Sequence, residues 1–275
     1  MMISLILDNW TLIAGLASAG LVAGLAGGLF GIGGGIVIVP VLSILMRALG
    51  FEQTAQHVAI ATSLTIIIAT SSRSVMAHNR RGAVDWTVLK TWSPWIVAGA
   101  GIGMWTATRL SGDVLTAIFG LVGLLIAAQF ILGRPDWKIA SDLPTGPVRM
   151  GLGASIGGLS ALMGIGGGTF GVSLMTMCGR AMHQAIGTAS GFGAVIGVPS
   201  ALAAMYVGFG HEGLPPGSIG FVNIPAFALM SIFTMAMAPV GAQLAHRLDQ
   251  DLLKKIFGVL LLLVASRMLY GTILG

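Results

Sequence analysis

Two runs of glycine, Gly31-Ile32-Gly33-Gly34-Gly35 and Gly164-Ile165-Gly166-Gly167-Gly168, are where this chain is equipped for chemistry. Glycine carries no functional group, so the chemistry on offer is that of bare backbone, approached closely because no Cβ intervenes. Each run is a poor helix interior, since every Gly costs about 1 kcal/mol relative to Ala, and the chain is expected to break there. A short apolar segment follows each run. A helix that starts at such a break presents unpaired N–H donors and roughly half a positive charge, which suits an anion. The candidate binding atoms are therefore the backbones of Gly33, Gly34, Gly35, Gly166, Gly167 and Gly168, with the hydroxyls of Thr62, Ser63, Thr169, Thr188 and Ser190 as added donors to one oxyanion.

Titratable residues are sparse. Arg73 lies in the third apolar segment without a basic counterpart in the second half of the chain, and is read as a countercharge for the anion or as a side chain snorkelling to the interface. His57 and His183 stand at matching segment starts, either as neutral imidazoles capping helix ends or in a proton-linked role. Asp8, Glu52, Asp85, Asp113, Asp136, Asp142, Glu212, Asp249 and Asp251 all fall at segment ends or in loops. Without an embedded carboxylate, a cation substrate and an aspartyl intramembrane protease are both disfavoured. Ser160 and His183 lack a nucleophile motif. No βαβ pattern surrounds the glycines, so they do not read as a dinucleotide loop. No metal and no cofactor is expected.

The elements that position these residues are set by an apolar composition. Over 275 residues, 55% are hydrophobic and only 8% charged, against roughly 25% charged in an ordinary soluble domain. Several windows reach the 20 or so apolar residues that a spanning helix needs, the longest from Trp10 to Met46 without a charge. The expectation is an all-α polytopic membrane protein. The 42 glycines fit close helix packing in lipid. The formal charge of +5 does not come from one basic run with interleaved aromatics, so nucleic acid is not an expected partner. Trp86, Trp92 and Trp95 read as interfacial aromatics. A single Cys178 leaves no internal disulfide framework. Since no Lys or Arg precedes the first apolar stretch, a cleaved leader is not expected and Met1 is read as the mature start.

The chain contains two copies of one unit. The glycine runs recur at an offset of 133 residues (164 minus 31). His57-Val58-Ala59-Ile60-Ala61-Thr62 matches His183-Gln184-Ala185-Ile186-Gly187-Thr188 at 126 (183 minus 57), and Arg109-Leu110, Asp113 and Ile118-Phe119-Gly120 match Arg247-Leu248, Asp251 and Ile256-Phe257-Gly258 at 138 (247 minus 109). The organisation read from this is a first repeat over residues 1–133, a polar linker over 134–147 that should lie in the cytoplasm, and a second repeat over 148–275. In the first repeat the apolar segments run at about 10–30, 36–49, 57–76, 92–108 and 114–132. If the first two form a hairpin and three spans follow, the second repeat is inverted and 11 of the 14 basic residues share one side; parallel repeats divide them 8 to 6. The positive-inside rule favours inversion, with both termini outside.

The residues Gly27-Gly28-Leu29-Phe30-Gly31-Ile32-Gly33-Gly34-Gly35 with Pro40, their second copy, and the Ala-Ile-x-Thr steps at Ala59 and Ala185 resemble the sulfite exporter TauE/SafE family, also called the toluenesulfonate uptake permeases. The similarity covers both halves. It implies an inner-membrane transporter of sulfite or of organosulfonates such as sulfoacetate, with export the family-weighted direction and a homodimer plausible. The second copy departs from the first in having Val172-Ser173 where Val39-Pro40 would fall and in carrying Pro199 in its third segment, so the two half-sites should be unequal. The alternatives are an anion channel, and a membrane sensor or assembly protein without flux.

Overall fold

The computed structural model describes residues 10–133 and 139–273. Asp8, Arg134, Asp136 and Lys138 lie outside the described residues, as does part of the linker expected at 134–147. Among the described residues there are ten helices: α1 (Trp10–Phe30), α2 (Gly35–Ala48), α3 (Ala55–Asn79), α4 (Trp86–Ala107), α5 (Gly112–Leu132), α6 (Gly146–Met163), α7 (Gly168–Met177), α8 (Met182–Val207), α9 (Ile224–Ala245) and α10 (Gln250–Ile273). A two-residue strand pair, Ser218–Ile219 with Val222–Asn223, closes the connection before α9. The chain is all-α and polytopic, as expected, with five helices long and apolar enough to cross a membrane.

Helix ends fall where the chain supplies backbone partners. Asp85 caps α4 by accepting from the N–H groups of Thr87 and Val88, and Ser111 caps α5 by accepting from Val114. Asn223, the equivalent of Asp85 at the 138-residue offset, caps α9 by accepting from Ala226. Such caps stabilise an end by about 1 kcal/mol through an otherwise orphaned donor.

Some contacts between helices recur at the sequence offsets. α1 lies along α9 and α6 along α4, so each half lays its first helix on the other half's fourth. A Cβ at Gly20 would meet Phe233, and one at Gly24 would meet the Thr234 backbone; the same is true of Gly153 with Trp95 and of Gly157 with Ile96. The offsets of 133 and 138 convert the first pair of contacts into the second. α5 and α10, the fifth segments, pack on each other through Gly120 against Leu269 and Gly258 against Ile131. Small residues let backbones come this close, which in lipid is the main source of helix association. At the centre, α3 and α8 cross antiparallel: Gly193 sits against Ile67 and Ser71, and the later Gly197 against the earlier Leu64.

One aromatic reading needs correcting. Trp86 is exposed and its indole N–H donates to Asn79 Oδ1 at 2.8 Å, but Trp92 is buried in the core. It occupies the position equivalent to Met230, on the face of α4 that receives Gly153, so packing and not the interface claims it.

Candidate functional site

Both glycine runs break their helices. α1 stops at Phe30 and α2 starts at Gly35; α6 stops at Met163 and α7 starts at Gly168. Gly34 and Gly167 occupy equivalent N-cap positions with left-handed φ of 87° and 72°, a conformation that L side chains rarely adopt. α2 has 14 residues and α7 has 10, so at 1.5 Å per residue they reach about 21 and 15 Å, short of a hydrocarbon core of roughly 30 Å. They are half-helices.

The two breaks meet. A Cβ on Gly35 would stand 2.5 Å from the Gly164 carbonyl oxygen, and one on Gly168 would collide with the carbonyl of Gly31. Gly33, Gly35 and Gly166 all lie against Ile67, the midpoint of the 25-residue α3, while Gly167 lies against Phe192 and Ile196 in the middle of α8. The tips therefore sit at mid-height of the two central helices, and every residue from Leu29 to Ile36 and from Met163 to Thr169 is buried. The first N–H groups of α2 and α7 have no intrahelical acceptor at this point, since a helix leaves its first donors unpaired.

The hydroxyls divide into two kinds. Four of the expected ones are engaged: Thr62 Oγ1 accepts from Asn223 N–H and Thr188 Oγ1 from Asp85 N–H, both at 2.9 Å, while Ser63 donates to the Gly164 carbonyl at 2.8 Å and Ser190 to Gly187 at 2.7 Å. The two threonine bonds are equivalents under the repeat and tie each half to the fourth helix of the other. Thr169 differs: it is fully buried, follows Gly168 directly, and its hydroxyl has no hydrogen-bond partner. Sequence reasoning missed three more of this kind. Ser71, beside Gly33 and Gly193, Ser160, beside Gly167, and Ser74, one turn beyond Ser71, are all fully buried with unpartnered Oγ atoms. Burying a hydroxyl without a partner costs about 1–3 kcal/mol, and two of these, Ser71 and Ser160, stand directly against the glycine tips. A signal was present: Ser74 and Ser200 occupy equivalent positions at the 126-residue offset, and both are buried and unpartnered.

Arg73 is exposed, on a different face of α3 from Ser71 and Ser74, so in this conformation its guanidinium does not reach the tips. The described carboxylates lie outside the core, and none is buried. His57 Nε2 donates to Leu110 O and His183 Nε2 to Ala245 O, each at 2.9 Å, so both imidazoles cap the end of a fourth helix. His183 is thereby committed elsewhere than to Ser160, whose Oγ is unpartnered; no nucleophile–base pair forms. Among the described residues no group of three His, Cys, Asp or Glu is arranged to hold a metal ion.

What the arrangement can do is hold a small oxyanion by backbone N–H and neutral hydroxyl donors, well away from water. Against known proteins, the family described as Sulfite exporter TauE/SafE matches residues 16–268. A "Probable membrane transporter protein" of Haemophilus influenzae is 30% identical over 250 residues, covering 90% of this chain and 95% of that protein. One from Methanocaldococcus jannaschii is 24% identical over 94% of this chain and 98% of its own length. The "Probable membrane transporter protein MamO" of Magnetospirillum gryphiswaldense is 26% identical over 94% of this chain but only 45% of that protein. No solved structure matches.

Proposed function

The chain belongs to the sulfite exporter TauE/SafE family, whose members compared above are membrane transporters and not enzymes, and from that premise we propose that it moves sulfite or a small organosulfonate across the inner membrane, chiefly outward. The observation that carries the proposal is the meeting of two broken helices at mid-height of the bundle, with the unpartnered hydroxyls of Ser71, Ser160 and Thr169 beside them. Backbone N–H and hydroxyl groups match an oxyanion, since both donate and neither needs a countercharge. The backbones of Gly33, Gly34, Gly35, Gly166, Gly167 and Gly168 line the approach. Thr62, Ser63, Thr188 and Ser190 hold the walls in register.

Transport by alternating access fits the way the halves interlock. The reciprocal contacts of α1 with α9 and α6 with α4, and the antiparallel crossing of α3 and α8, support an inverted repeat with its site on the pseudo-two-fold axis. One repeat rocking on the other would open the tips first to one side and then to the other. Under that scheme the linker faces the cytoplasm and both termini face outward. Assembly as a homodimer belongs to the same proposal.

Uptake of radiolabelled sulfite into proteoliposomes containing the purified chain tests the reading. Saturable uptake, at least tenfold lower for Thr169→Val, supports it. Vesicles that stay empty would instead favour a sensor or assembly role, and conductance far above carrier turnover would favour a channel.

A further inference from the structure

A second polar cluster lies at the end of the bundle where α3 and α9 finish and α8 begins. His78, at the end of α3, is fully buried. Its Nε2 is 2.9 Å from the Gly28 carbonyl oxygen and its Nδ1 is 3.1 Å from Nε2 of His246, the residue that ends α9. The carbonyl can only accept, so Nε2 of His78 carries a hydrogen. In the uncharged ring Nδ1 is then an acceptor, and Nε2 of His246 is the donor to it. His246 keeps a lone pair on its own Nδ1 and is partly exposed, whereas His78 is sealed. The two rings form a wire from the mouth of the bundle to the backbone of α1, three residues before Gly31.

Groups from α8, from the turn after α3 and from α1 surround the pair. His183, from α8, stacks on His246 with ring centres 5.4 Å apart and spends its own Nε2 on Ala245 O. Arg81, in the turn after α3, donates its backbone N–H to the His78 carbonyl oxygen at 3.1 Å. α1 contributes no titratable side chain, only the Gly28 carbonyl. Burial, and after it the neighbouring His183 and Arg81, hold His246 below the usual imidazole range.

Inward from His78 the same face of α3 carries Ser74 and Ser71, at spacings of four and three residues, both buried and unpartnered. Ser71 touches Gly33 at the tip. At 1.5 Å per residue, the stripe covers about 10 Å between the imidazole pair and the glycines.

We propose that the His78–His246 pair is a proton-binding site coupled to the first glycine tip, so that sulfite moves with a proton bound at this pair. The proton lands on Nδ1 of His246, and His246 can pass its Nε2 hydrogen to Nδ1 of His78. The added charge then sits against the stacked ring of His183. The cheapest relief is to part the two rings and release α1 at Gly28. The pair is neutral in the closed arrangement and charged in another, which is how a proton selects between states. The coupling to sulfite rests on the transport reading; the response of the tip to acid does not.

The test is hydrogen exchange of the segment 28–35 in the purified full chain at pH 7.5 and pH 5, corrected for intrinsic rates, in the wild type and in His78→Gln and His246→Gln. Glutamine retains a donor and an acceptor but does not titrate. The wild-type tip should open at least about tenfold on acidification, equivalent to one pKa unit of coupling, and both variants should lose that response. An acid response that is absent in the wild type, or equal in all three proteins, overturns the proposal. In proteoliposomes the number of protons moved per sulfite, read with a lumenal pH dye, should fall in both variants; an unchanged ratio overturns the coupling. Wild-type vesicles that take up no sulfite would remove the transport reading, and hydrogen exchange would still decide on the proton site.

Discussion

The two tips share a backbone and differ in side chains. At matched positions both have left-handed glycines before a half-helix, and each presses its first helical glycine on the other's backbone. Yet the second tip carries Ser160 and Thr169 where the first has Gly27 and Ile36, and Gly193 in α8 faces its own counterpart, Ile67 in α3. Bulk on one central helix fits into the gap left on the other. The comparison teaches that matched backbones need not carry matched side chains: within the runs themselves, the unpartnered hydroxyls belong to the second tip. Binding should therefore be far more sensitive to the second tip's side chains than to the first's, and equally sensitive to both backbones.

The largest effect is expected from the shared backbone. Gly34→Val puts a β-branched residue at φ 87° with its Cβ 2.5 Å from the Ala23 carbonyl oxygen, and Gly167→Val would strike Ile196. Both should abolish sulfite binding in a filter or calorimetric assay while the protein still inserts in the membrane. Retained affinity in either would break the equivalence of the tips. Next comes the asymmetry itself. Removing a hydroxyl bonded to an anion costs about 1.5–3 kcal/mol, so Thr169→Val and Ser160→Ala should each raise the Kd for sulfite by about 10- to 100-fold. On the first tip, Ile36→Val should change it less than about threefold, as a small apolar trim that removes no donor.

Smaller effects concern the frame. Thr62→Val and Thr188→Val each orphan one backbone N–H, at Asn223 and Asp85, and should lower stability by similar amounts of about 1–3 kcal/mol, read as a fall in Tm in detergent. Unequal losses would show that the halves are not energetically matched. Acid should act at the end of the bundle that carries His246. Because His246 titrates below its ordinary value of 6.5, the closed arrangement gains its full share of stability above that pH and loses it as pH falls through the lowered value. The melting temperature should drop across that window in the wild type and less in His246→Gln. Arg73→Gln, at an exposed position, should leave the sulfite Kd within about twofold, since surface changes are usually within ±0.5 kcal/mol.

Much of this frame was legible in the residues. The glycine runs ended helices where their propensity said they would, and the three offsets of the repeat returned as reciprocal contacts between helices. The site was legible only in part. Thr169 stands out because it adjoins a glycine run, and its hydroxyl is unpartnered, but Thr62 and Thr188 were chosen for their matched positions, and their hydroxyls serve backbone donors of the opposite half. A hydroxyl's identity does not reveal whether it is already bonded; that depends on which helix crosses it. Ser71 escaped notice, and Ser160 was weighed only as a nucleophile, for the same reason; the exposure of Arg73 and the burial of Trp92 each turned on helical phase within apolar segments that look alike on every side. The His78–His246 pair joins residues 168 positions apart and had no local signature.

The most direct test of the central claim is equilibrium binding of radiolabelled sulfite to the purified chain beside Thr169→Val, a substitution that preserves shape and deletes one oxygen. Saturable binding that weakens at least tenfold in the variant is the predicted result. Identical affinity in the two proteins would contradict an anion held at the glycine tips.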